Sequence, residues 1–101
     1  MQYLGRISGS GVLTCNGEDV TRASYVIEGF FRKPSRVVGT GEIGLSGAAL
    51  RQLAGRKDVQ LLTDDGRVLT IGFAVTAVCI DNHAEADITG GLPETPALWR
   101  H

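Results

Sequence analysis

The chain has 101 residues, 43% of them hydrophobic and 21% charged, and a net charge of −1. That length and balance fit one ordinary globular domain and exclude two independent cores. The longest apolar run, near Val68 to Ile80, is far below the ~20 residues that cross a bilayer as a helix, and Met1 to Arg6 lacks the basic and apolar regions of a signal peptide. The expectation is a cytoplasmic, soluble protein with no membrane partner.

Fourteen glycines are scattered among Val, Ile, Leu and Thr, which favours turns and sharply bent strands over a low-complexity tract. Charge is unevenly spread. Arg32, Lys33, Arg36, Arg51, Arg56 and Lys57 face only Glu42 in the middle of the chain, whereas Asp58 to Glu94 carries seven carboxylates against Arg67. Such bipolarity can draw in a charged partner or another copy. Cys15 and Cys79 stand in strand-like apolar contexts and read as buried, reduced thiols.

In chain order, Tyr3 to Cys15 is extended. Ser8-Gly9-Ser10-Gly11 is either a turn between two short strands or a bulge that bends one long strand. Asn16-Gly17 suits a tight hairpin, because both residues tolerate positive φ. From Val20 to Phe31, Ala23, Tyr25, Ile27 and Phe31 form one apolar face and Arg22, Ser24 and Glu28 the other, a half-buried strand. Val26 and Phe30 interrupt the polar side. Arg32-Lys33-Pro34-Ser35-Arg36 is a loop, since Pro34 removes a ladder donor.

Arg36 to Leu45 resumes a strand, with Val37, Ile43 and Leu45 opposite Val38, Thr40 and Glu42. Gly39 and Gly41 leave gaps on the Val37 face that allow sharp coiling or an aromatic ring lying across. Ser46 caps the single helix, Leu45 and Leu50 staple it, and Gly55 stops it. Ala49, Leu50, Leu53 and Ala54 give it a narrow apolar stripe, enough to plug one end of a barrel.

Val59 to Thr63 and Val68 to Ile80 then pair through a type I′ turn at Asp65-Gly66. The second strand alternates Leu69, Ile71, Phe73, Val75, Ala77 and Cys79 against Thr70, Gly72, Ala74 and Thr76. Val78 and Ile80 break the polar face and signal a bulge or a second buried surface. Asp81-Asn82 turns the chain into a last strand, with Ala84, Ala86 and Ile88 inside. Residues 1–90 therefore form one domain, and 91–101 a Pro-containing tail ending in the lone Trp99.

Three motifs carry chemistry on paper. Gly39-Thr40-Gly41-Glu42-Ile43-Gly44 matches a dinucleotide-binding glycine pattern, with Asp64 about twenty residues beyond it. Yet Ser46 supplies a separate helix cap and no second crossover helix follows, so a bent strand is the reading and no cofactor is expected. Asp81, His83, Glu85 and Asp87 alternate like ligands to a divalent metal on one strand face, although a turn at Asp81-Asn82 breaks that alternation. Arg32, Lys33 and Arg36 beside Phe30 can track phosphate as small nucleic-acid-binding barrels do. No nucleophile stands in an activating context, so no catalytic residue is assigned.

The element order is that of a mainly β protein: a small antiparallel β-barrel, OB-like or SH3-like, with one short α-helix. The function this favours is a non-enzymatic binding or assembly module. Val26, Phe30, Val38, Val78, Ile80 and Trp99 are apolar at nominally exposed positions and point to self-association, so a homo-oligomer or a protein partner is expected. The rivals are a nucleic-acid-binding barrel and, last, a metal- or nucleotide-dependent enzyme.

Overall fold

In the computed structural model, residues 2–32 and 36–92 are described. Strand β1 (Gln2–Cys15) turns at Asn16-Gly17, with φ of 53° and 82°, into β2 (Glu18–Arg32). Both central residues are left-handed, the twist that joins two strands tightly. β3 (Arg36–Gly44) follows, then α1 (Gly47–Leu53), β4 (Val59–Thr63), β5 (Val68–Gly72) and β6 (His83–Gly90). Every pairing is antiparallel, and the ring order β1-β2-β3-β6-β5-β4 closes through β1 and β4. The protein is mainly β, with two three-stranded meanders joined by one short helix.

Inward positions follow the period-two pattern. Leu13, Tyr25, Ile27, Ile43, Leu61, Leu69, Ile71 and Ile88 are buried in one cluster with Ala49, Leu50 and Leu53 of α1. The helix starts as its residues dictate: Ser46 Oγ accepts the Ala49 N–H at 3.2 Å, satisfying one free amide. Leu45 and Leu50, one before the cap and one a turn inside, are both buried. Gly55, at φ 76°, then redirects the chain and donates to the Phe73 carbonyl at 3.0 Å.

Several sequence expectations change in detail. Ser8 to Gly11 pairs continuously with Val26 to Ala23 in one 14-residue strand; the register shifts fall between Tyr3 and Gly5 and between Leu13 and Thr14. The ring that lies across a glycine is Tyr25 over Gly9, not one over Gly39 or Gly41, which press against Leu92 and β2 instead. At Asp64-Asp65-Gly66 only Gly66 is left-handed, and its N–H bonds Thr63 O at 3.0 Å while Thr63 N–H bonds Arg67 O at 2.9 Å. This is a three-residue loop, not a type I′ turn. The successive left-handed pair appears at Asp81-Asn82 instead, with φ of 52° and 60°.

The largest difference concerns Val68 to Ile80. Alternation continues past residue 72, but the strand does not. β4 is five residues long and its pairing with β5 covers only Val68 to Thr70, and β6 reaches β5 only from Gly90 to Asp87. Beyond Gly72 no ladder is available on either side, and a turn with the Ala77 N–H on Ala74 O takes over. Cys15 and Cys79 are free but half-buried, where burial was expected.

Candidate binding cleft at the β5–β6 seam

Where β5 leaves the ring, β6 continues alone on that side. Gly72 faces Asp87 at one end of the gap. At the other, Ile80 and His83 exchange two backbone hydrogen bonds of 2.9 and 3.0 Å across the Asp81-Asn82 turn. Between the returning segment and β6 lies a cleft of about 710 Å³, lined by Ala74, Ala77, Ala84, Val78, Ile80 and Glu85. Small side chains leave the room: alanine occupies positions where larger residues would fill the space between two strands.

Backbone polarity in the gap follows from that turn. In an antiparallel strand alternate residues direct both N–H and C=O to the same side. His83 points its pair at Ile80, so Glu85 points its own into the cleft, while Ala84 and Ala86 point at Ile43 and Gly41 of β3. Among the described residues, Glu85 has no backbone partner on the cleft side.

The outer face beside the cleft is acidic. Glu42 of β3 stands directly across from Glu85, and Thr40 directly across from Asp87. Arg6 reaches Glu28 at 3.3 Å; the other ion pairs among the described residues, Arg22 with Asp64, Arg56 with Asp58 and Arg67 with Asp65, do not involve Glu42 or Glu85. Two carboxylates directly opposite on one sheet face repel.

The sequence-derived metal set is partly assembled here. His83, Glu85 and Asp87 share the exposed face of β6, whereas Asp81 lies in the turn and offers its carbonyl to His83 Nδ1 at 2.8 Å. Among the described residues no three His, Cys, Asp or Glu side chains converge on a metal-sized site. The glycine pattern from Gly39 to Gly44 lies wholly within β3, and Asp64 is bound to Arg22 at 2.7 Å. Of the basic loop, Arg32 and Arg36 are cross-strand partners at the open end of the β2–β3 pair, while Lys33 lies outside the described residues. Of the self-association set, Val26 is 42% exposed, Phe30 and Val38 are half-buried, Val78 and Ile80 are 66% and 67% exposed, and Trp99 lies outside the described residues.

Sequence reasoning missed three features. Val75 is 81% exposed, more than any other large apolar side chain described, because the strand expected to bury it has ended. Tyr3 pairs with Phe30 on the outer face, ring centroids 5.5 Å apart, which the cross-strand register alone brings about. At the helix end, Arg56 grips Asp58 with Nε to Oδ1 at 2.9 Å and Nη2 to Oδ2 at 2.8 Å and holds its carboxyl down at about 2. The Cys15 thiol donates to the same carboxylate at 3.5 Å; burial first, and then this hydrogen bond, push its pKa up, the reverse of an activated nucleophile.

Comparison with protein-family models, with curated proteins and with solved structures finds no match to this chain.

Proposed function

We propose that this protein is a non-enzymatic binding and assembly module that self-associates through the apolar segment Val75 to Ile80. The observation that carries the reading is the exposure of Val75, Val78 and Ile80 within six residues. Soluble domains keep such clusters for contact with another chain. Sedimentation velocity across a hundredfold concentration range tests it: the wild type shifts towards a larger species, and V78D/I80D stays monomeric. A wild type that remains a monomer throughout overturns the reading. Both side chains face solvent, so their replacement is expected to alter folding stability by no more than about 0.5 kcal/mol.

Of the two small-barrel architectures, we read the chain as OB-like, supported by three strands, a helix and then further strands, with β1 lying between β2 and β4. β6 is an addition to the five-strand pattern. That fold presents its β2–β3 face to oligonucleotides, which gives the second reading its one specific support. Tyr3 and Phe30 meet with tilted rings on the outer side of this face, and Phe30 is two residues from Arg32. Aromatic rings beside guanidinium groups suit single-stranded nucleic acid; Glu28 and Glu42 on the same face weigh against it. Salt-dependent binding of a single-stranded oligonucleotide, lost in F30A, distinguishes this reading from self-association.

A further inference from the structure

We infer that the β5–β6 seam accepts an extended, basic segment of another polypeptide as an added strand. This rests on the reading of the chain as a binding module and goes beyond self-association. Three observations converge. The ring is interrupted between the Gly72–Asp87 and Ile80–His83 pairs, leaving a cleft of about 710 Å³. Glu85 directs a backbone donor and acceptor into it without a partner among the described residues. Glu42 and Glu85 lie side by side on the outer rim without a cation among the described ion pairs.

An unpaired strand edge is a template for another strand, with the main chain supplying affinity and alternate side chains supplying selectivity. The residue placed opposite Glu85 projects outward beside two carboxylates, so lysine or arginine fits there. Its neighbours on either side fall opposite Ala84 and Ala86, on the inward face of β6, where a compact β-branched side chain fits. The occupant therefore has the alternation apolar, basic, apolar. A second copy joined edge to edge at the same seam is disfavoured, because two-fold pairing centred on Glu85 places two Glu85 carboxylates together.

The probe is the peptide Ac-Val-Lys-Val-NH₂, which spans the three positions opposite Ala84 to Ala86, titrated into the full chain by calorimetry at a protein concentration where sedimentation finds one species. Binding is expected, and the counterpart with Glu in place of Lys is expected to bind at least about tenfold more weakly. E42Q/E85Q should lower affinity roughly threefold to tenfold, the range for two exposed ion pairs. Glu85→Pro removes the amide directed at the cleft together with the Glu85 carboxylate, leaves the bonds to β3 in place, and should weaken binding well beyond E42Q/E85Q. A peptide N-methylated at its lysine should fail in the same way, without any change to the protein. No binding to the full chain, equal binding of the Lys and Glu peptides, or equal binding to E85P and wild type overturns the inference. A peptide that binds a permanently monomeric chain leaves this inference standing and removes only the self-association.

Discussion

Replacing Gly41 by alanine should destabilise the protein clearly, while the same replacement at Gly72 should be neutral or better. Both glycines lie in strands, and neither has positive φ. They differ in what a methyl group would meet. At Gly41 an added Cβ would sit 2.2 Å from the Val26 carbonyl oxygen and 2.9 Å from Ile27 Cα, both backbone atoms of β2. Ordinary contact begins near 3.4 Å, so β2 and β3 would have to separate by more than an ångström along a ladder running from Ser24 to Arg32. At Gly72 the nearest atom, Asp87 O, is 3.8 Å away. Overpacking of this kind costs about 1–3 kcal/mol and sometimes more. Both replacements recover ~0.4–1 kcal/mol by restricting the unfolded chain. The net expectation is a loss of about 2 kcal/mol or more for Gly41→Ala and a gain of up to about 1 kcal/mol for Gly72→Ala. Urea unfolding followed by circular dichroism, fitted with a common m-value, reads both. In a domain of this size the first corresponds to a fall in Tm of roughly 10 °C. Equal midpoints for the two variants would refute the argument that β3 coils against β2 only because Gly41 lacks a side chain.

The acid limb of stability should depend on Arg56. Asp58 is held at about 2 chiefly by its hydrogen bonds from Arg56, against an ordinary 3.8, so it favours the folded state above pH 4 and that contribution disappears as pH falls from about 4 to 2. R56M should flatten this part of a Tm-against-pH curve; an unchanged slope would show that the pair is energetically idle. Removing the helix cap in S46A should cost about 1 kcal/mol, because the Ala49 amide loses its acceptor, and S46D should restore most of it. Guanidinium unfolding of the three proteins checks both statements.

Much of this fold was legible from residue order because burial in strands leaves a period of two. Ala84, Ala86 and Ile88 and the Ala23, Tyr25 and Ile27 series are buried as their alternation predicts, and the cap, staple and stop of α1 sit where Ser46, Leu50 and Gly55 put them. Turn chemistry was less decisive. Asp65-Gly66 satisfies a type I′ turn as well as Asn16-Gly17 does, yet Thr63 Oγ1 takes the Arg67 N–H at 2.8 Å and favours the longer loop. The cleft was hidden altogether. Val75 and Ile71 look alike in an alternating series, and what separates them is whether a neighbouring strand extends far enough to pair. That property belongs to β4 and β6, not to the residues of the series. The Glu42–Glu85 juxtaposition is likewise a matter of register between residues 43 apart in the chain.

The pairing order of the ring also bears on how the chain reaches its native state. β1-β2-β3 and β4-β5-β6 are each built from sequence neighbours, whereas β1–β4 and β3–β6 join residues that are distant along the chain. Short loops close at small entropic cost and long ones at greater cost. Two meanders are thus expected to form early as separate half-rings, with their meeting as the rate-limiting event and α1 as the tether that sets how often they collide. Lengthening the linker around Gly55 to Lys57 should slow refolding while leaving unfolding almost untouched, so the short helix between the halves acts as a kinetic device as much as a packing one.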